Sequence, residues 1–120
     1  MYLREETRSP PATVSSPSPL SGLYIRTRGG DLTKVAIPLD CLAFQTGEAL
    51  ELATNGKLRA TPHCVRVGAG KDADKISRET FALFMQPNVD EQISEAETFG
   101  QFSQRIFNEH YKDEGAAATM

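Results

Sequence analysis

The sequence predicts a mainly β domain with a short helix and a C-terminal amphipathic helix, and three observations predict it. Leu23 to Thr27 and Leu32 to Ile37 alternate with a period near two and flank a glycine-rich turn, Arg28-Gly29-Gly30-Asp31. Three further runs of strand length, Cys41 to Gln45, His63 to Val67 and Ser77 to Gln86, are each ended by a glycine or proline within a few residues. Toward the C-terminus the period changes: Phe99, Phe102, Ile106 and Phe107 recur at helical spacing between Thr98 and Tyr111.

Taken in chain order, Met1 to Glu5 reads as a lone strand stub or a frayed end. Nine of the thirteen residues from Ser9 to Ser21 are Ser or Pro, with four of the seven prolines. Proline removes donors and fixes φ, so this stretch is expected to build neither ladder nor helix and to run as polyproline-like or disordered chain. Order is expected from Gly22, with the hairpin described above. Pro38-Leu39-Asp40 breaks the pattern before Cys41 to Gln45, an apolar run short enough for a strand buried on both faces. Glu48 to Thr54 holds helix formers for about two turns, closed by Asn55-Gly56. His63 to Val67 is the next strand, with His63, Val65 and Val67 on one face and Cys64 and Arg66 on the other. Gly68 to Ile76 is a loop and Ser77 to Gln86 a strand, ended by Pro87. The helix from Thr98 to Tyr111 should pack on the sheet, and Gly115 to Met120 should be a mobile tail. The domain reading is therefore a flexible Ser/Pro-rich segment at 1–21, a folded domain at 22–111 and a disordered tail at 112–120.

Composition limits function. At 120 residues the chain supports one small core, and 39% hydrophobic with 24% charged residues fits a soluble chain. No run approaches the eighteen or so apolar residues of a membrane span, and Met1 to Glu6 carries charge where a signal peptide would be apolar. A cytoplasmic location is expected, with the nucleus as the other compartment for reduced thiols. Thirteen Lys and Arg against sixteen Asp and Glu give a net charge of -3 with the basic residues scattered, which speaks against nucleic acid as a partner. Cys41 and Cys64 have neither CxxC nor zinc spacing.

Among motifs, Val67-Gly68-Ala69-Gly70-Lys71-Asp72 superficially resembles a phosphate-binding loop. Val65 stands where the first glycine belongs and Asp72 where a hydroxyl should hold magnesium, so a plain loop is the better reading. With two histidines and nothing ordering them beside a nucleophile, no Ser/His/Asp or Cys/His triad is supported. His110 near a helix end reads as structural or surface, since an imidazolium there is favoured by the helix dipole. His63 and Arg78 remain: an imidazole on one strand and a guanidinium at the start of the next could share a concave site. On spacing alone, a strand histidine is more often a bonded core residue and such an arginine more often solvated.

From Gly22 to about Tyr111, however, the chain resembles the C-terminal part of the isopenicillin N synthase-like family of 2-oxoglutarate- and Fe(II)-dependent oxygenases. The resemblance rests on the order and spacing of Gly22-Leu23-Tyr24-Ile25-Arg26, Ile37-Pro38, Ala43-Phe44-Gln45-Thr46-Gly47-Glu48, Thr54-Asn55-Gly56, Arg59-Ala60-Thr61-Pro62-His63-Cys64-Val65 and Arg78 to Pro87. It implies an incomplete double-stranded β-helix, or jelly-roll. It also implies that His63 is the distal iron-ligating histidine and that Arg78 is the arginine of the family's Arg-x-Ser motif, whose planar fork takes the far carboxylate of 2-oxoglutarate bidentately. Thr80 stands for the motif's serine and keeps the hydroxyl. Fifteen residues separate His63 from Arg78, longer than is usual, and the loop from Gly68 to Ile76 accounts for the excess.

The departure is the family's His-x-Asp or His-x-Glu pair, which this sequence lacks; Met1-Tyr2-Leu3-Arg4-Glu5 resembles the strand just after it. The expectation is a fragment inactive alone, carrying one of three iron ligands and the cosubstrate arginine; a completed site would oxidise a small organic substrate while decarboxylating 2-oxoglutarate. The competing expectation is a non-catalytic interaction or regulatory protein of the same fold, with self-association or pairing through exposed sheet edges. An in-frame His-x-Asp upstream of Met1 would restore the enzyme reading.

Overall fold

A computed structural model of the chain describes residues 1–4 and 10–111. Among the described residues, six strands form two three-stranded antiparallel sheets, ordered β2-β1-β6 and β4-β3-β5, and two α-helices follow the second hairpin strand and the last strand. The chain divides into two compact units, Met1–Ala43 with Thr61–Leu83, and Phe44–Ala60 with Phe84–Met120. Both sheets belong to the first unit and both helices to the second.

In the first sheet β1 (Tyr2–Arg4) is the central strand, flanked by β2 (Ala12–Val14) and β6 (Ile76–Arg78). Tyr2 lies opposite both Val14 and Arg78, so these three share a face. Two expectations are corrected here. The N-terminal residues are not a lone stub, because Tyr2 to Arg4 pair on both sides. The Ser/Pro stretch does build a ladder, because Ala12-Thr13-Val14 is a proline-free trio with one β-branched pair; prolines on either side hold it to three residues. The serines after it bond to one another. Ser21 N donates to Ser18 O at 3.1 Å, and the Ser16 and Ser21 hydroxyls, paired with each other, lie 2.7 and 2.9 Å from that carbonyl oxygen. Ser21, only 2% exposed, is thereby satisfied.

The second sheet is built on the expected hairpin. β3 (Gly22–Arg26) pairs with β4 (Leu32–Lys34) across the glycine turn, where Gly30 N donates to Thr27 O at 2.9 Å and Arg26 Nη1 to Gly30 O at 2.7 Å. β4 is shorter than the alternation suggested, although Val35 N still donates to Leu23 O at 2.8 Å. β5 (His63–Arg66) covers the other edge of β3 with Ile25 opposite His63, Tyr24 opposite Cys64 and Leu23 opposite Val65. One face of this sheet thus carries Tyr24, Lys34, Cys64 and Arg66, and the other Leu23, Ile25, His63 and Val65, as the alternation in β5 implied. The Arg66 guanidinium sits over the buried Tyr24 ring, 4.7 Å from its centroid.

Two expected strands are absent or cut short. Cys41 to Gln45 form no strand, and Leu42 and Phe44 are exposed. Of Ser77 to Gln86 only the start is in a strand, and Phe81 and Leu83 stand in solvent. Both segments have strand propensity, but propensity does not make a ladder without a neighbouring strand to receive the hydrogen bonds. The intervening loop, 67–75, holds a 3-10 turn at Ala73–Lys75.

In the second unit, α1 (Glu48–Ala53) ends as expected: Asn55 and Gly56 both have positive φ, and Gly56 N donates to Glu51 O at 2.8 Å. α2 (Phe99–Tyr111) starts on a capping box, with Gln101 N donating to Thr98 Oγ1 at 3.3 Å and Thr98 N to Gln101 Oε1 at 2.9 Å. Its buried residues Phe99 and Phe102 form a cluster with Ile93, to which Ala49 and Ile106 add. The cluster is built by α2 together with α1 and the loop before α2, and no strand residue belongs to it. The tail 112–120, including Gly115 to Met120, lies outside the described residues.

Candidate functional site

Arg78 ends β6, and the ladder is prolonged beyond it by Glu79 N donating to Met1 O at 2.9 Å. The short antiparallel pairing therefore fixes Arg78 directly across from Tyr2. The Tyr2 phenol donates to Ser21 Oγ at 3.4 Å, which places it against the serine turn. Gly22 explains how Lys34 joins them: a Cβ built at Gly22 would lie 3.1 Å from Lys34 Cε and 3.8 Å from the Tyr2 hydroxyl. The missing side chain lets the two come close. Lys34 Nζ donates to Pro19 O at 2.8 Å.

The electrostatics of the group are one-sided. The Tyr2 phenol is held below its ordinary pKa, first by its hydrogen bond with Ser21, then by the Ser16 hydroxyl and by the charges of Arg78 and Lys34, against the opposing effect of burial. Among the described residues, neither Arg78 nor Lys34 has a carboxylate partner. Two cations, a phenol and two serine hydroxyls within one sheet-end cluster make an arrangement whose natural complement is a small anion.

His63 is placed elsewhere. It begins β5 in the second sheet, exposed, on the face of Leu23, Ile25 and Val65 and not on that of Lys34. Its Nδ1 lies 3.0 Å from Thr61 O, a contact that favours the tautomer with the proton on Nδ1 and orients the ring. Arg78 belongs to the first sheet, so the two residues are on successive strands but not on neighbouring ones. Thr80, exposed, follows the end of β6. The structure thus brings Arg78 together with Tyr2 and Lys34, while His63 lies in the other sheet and Thr80 beyond the end of β6.

A metal site needs several donors converging on one point. Among the described residues no three His, Cys, Asp or Glu side chains do so, and the donor set around His63 does not fit a 2-His-1-carboxylate iron centre. Both cysteines are free and exposed.

Tyr2, Ser16, Ser21 and Lys34 were invisible as site residues in the sequence. Their positions carry no shared spacing, and only the pairing of β1 with β6, and the folding-back of the serine turn onto it, brings them together. The one available signal was Tyr2 itself, a phenol in a three-residue run of strand-compatible residues. Scans of the chain against protein-family models, curated proteins and solved structures find no match.

Proposed function

We propose that this chain is a partial jelly-roll of the 2-oxoglutarate- and Fe(II)-dependent oxygenase type, whose retained function is to bind an oxoacid through Arg78. The observation that carries the proposal is the pairing of Arg78 with Tyr2, whose phenol also feels the Ser21 and Ser16 hydroxyls and the Lys34 charge. A guanidinium there offers a bidentate carboxylate site. Thr80 is the second proposed anchor and His63 the proposed remnant of the metal set. The strand order supports the jelly-roll reading: β5 pairs with β3 past β4, and the next strand, β6, leaves that sheet for the other.

Iron chemistry is not assigned to the described residues, because their donors do not make the facial set. Oxidation of a small organic substrate would require ligands that these residues do not supply. Titration of 2-oxoglutarate into the full chain by calorimetry tests the proposal, together with an assay for succinate release in the presence of ferrous ion. Binding that Arg78→Lys weakens at least tenfold, without succinate, is the expected result, since loss of a charge-assisted bidentate contact is worth about 1.5–3 kcal/mol. Unchanged binding in Arg78→Lys overturns it, and succinate release above a His63→Ala control overturns the non-catalytic part.

A second reading, a non-catalytic interaction protein of the same fold, is favoured by one observation. Val65, Val67, Phe81 and Leu83 of the first unit are exposed beside the open outer strands of both sheets. Such strands offer unpaired backbone groups to an added strand.

A further inference from the structure

We propose that Ser18 is a phosphorylation site for a proline-directed protein kinase, and that its phosphate pairs with Lys34 to fasten the serine turn to the second sheet. The inference goes beyond the oxoacid reading and does not depend on it.

The sequence offers Ser16-Pro17 and Ser18-Pro19 as neighbouring Ser-Pro pairs. Proline fixes its own φ, carries no N–H and drives the residue before it toward extended backbone. A Ser-Pro pair therefore presents its hydroxyl on a short extended segment of the kind a kinase cleft can read. The structure separates the two serines. The Ser16 hydroxyl is engaged inside the turn, 2.7 Å from Ser18 O and paired with the Ser21 hydroxyl beside the Tyr2 phenol. A phosphate there would break both contacts. Ser18 instead opens a turn that Ser21 N closes onto Ser18 O at 3.1 Å, with Pro19 in the second position, where proline is favoured. Its hydroxyl accepts Leu20 N at 3.2 Å in an exposed bond, and phosphate oxygens can take over that N–H.

Two neighbours give the phosphate a setting. Lys34 Nζ donates to the carbonyl of the next residue, Pro19, at 2.8 Å, which puts an ammonium one residue from the modified side chain. The glycine loop lies against the turn: a Cβ built at Gly68 would be 2.9 Å from Ser18 Cβ, and one at Gly70 would be 3.3 Å from Pro17 O. Glycines thus let the loop that superficially resembles a phosphate-binding loop back the serine turn at close range. A phosphoserine carries about −1.5 to −2 charge at neutral pH, and beside an ammonium it makes a charge-assisted contact. In the modification Ser18 Oγ attacks the terminal phosphorus of ATP, its proton passes to the kinase's carboxylate base, and the bond to the departing ADP oxygen breaks.

The test incubates the full chain with magnesium ATP and, in turn, a mitogen-activated and a cyclin-dependent protein kinase, and locates phosphate by tandem mass spectrometry. Phosphate on Ser18 is expected, kept in Ser16→Ala and lost in Ser18→Ala. Pro19→Ala, which retains the hydroxyl, should lose most of it too, and this variant keeps the test valid if Ser18→Ala misfolds. Acetylation by an N-hydroxysuccinimide ester then reads the pairing. Lys34, exposed, should react about threefold more slowly in the phosphorylated chain, the scale of an exposed ion pair, and concentrated salt should restore its rate. Lys57, exposed in the other unit, should react at the same rate in both forms.

A chain that neither kinase modifies at Ser18, while a Ser-Pro peptide in the same reaction is modified, overturns the proposal, whatever happens at Ser9 or Ser16. Phosphate on Ser18 with Lys34 reactivity unchanged overturns the pairing.

Discussion

Tyr2 and Glu97 each have a lowered pKa, and each makes a pH-dependent statement that can be checked. A phenol whose folded value lies below its unfolded one is protonated in both states at neutral pH and contributes nothing there; its contribution grows as pH rises through the folded value. Ser21→Ala removes the largest cause, so the Tyr2 component of an alkaline titration is expected to move up toward the ordinary tyrosine range, while Ser103→Ala on the exposed side of α2 leaves it unmoved. Glu97 is lowered by its hydrogen bonds and charge pairing with Arg105, at 2.7 Å for the shorter contact. Its contribution is fully present above the unfolded carboxylate range and is lost as pH falls through the depressed folded value. Thermal melts of Glu97→Gln are therefore expected to lie below those of the wild type at neutral pH and to converge with them in acid. At this scale the sequence was partly legible. His63 and Arg78 could be named from residue type and resemblance, but Tyr2, Lys34 and the buried Ser21 could not, because what makes them notable is who lies across the ladder or beneath the turn.

Elements follow the sequence where the local signal is sufficient to itself. The hairpin of β3 and β4 carries its own turn, α1 its own left-handed stop, and α2 its own period and its Thr98-x-x-Gln101 box. Thr98→Ala is expected to cost about 1 kcal/mol of stability, measured by denaturant unfolding, because it leaves Gln101 N without its acceptor. Gly100 gives a sharper test, since two effects of opposite sign compete. Alanine there would gain about 1 kcal/mol of helix propensity. Its Cβ would also lie 2.8 Å from the Val89 carbonyl oxygen, the same atom that accepts Gly100 N at 2.8 Å, and backbone cannot rotate away as a side chain can. The contact is expected to win, so that Gly100→Ala lowers the melting temperature; a rise would show that the Val89 loop yields. Elements failed where the signal required a partner: Cys41 to Gln45 and the end of Ser77 to Gln86 are rich in strand formers but have no ladder, whereas Ala12 to Val14, amid prolines, found one in β1.

For the molecule as a whole, the balance of buried and exposed apolar groups is unusual. Among the described residues only Tyr24, Ile93, Phe99 and Phe102 are buried hydrophobics, while Leu39, Val67 and Phe81 are each more than nine-tenths exposed and Leu42, Phe44, Leu83, Phe84 and Met85 at least four-fifths. Single exposed apolar residues are ordinary, but here they include contiguous stretches of a sequence with strand propensity and few charges, Phe81 to Met85 above all. Hydrophobic burial at about 25 cal/mol per Å² makes removal of such a surface from water strongly favourable, and the outer strands β2, β6, β4 and β5 offer backbone groups to whatever covers it. The expected outcome is concentration-dependent self-association of the full chain, seen by sedimentation velocity as a rising weight-average mass. Phe81→Glu with Leu83→Lys places charges on the most exposed side chains of the Phe81–Met85 stretch and should hold the chain monomeric at concentrations where the wild type associates. Because neither residue is buried or hydrogen-bonded through its side chain, the double variant should melt at the wild-type temperature when both are compared at dilution. Association that persists unchanged in the double variant would locate the contact elsewhere. A monomeric wild type at all concentrations would mean that these apolar side chains tolerate water without a partner.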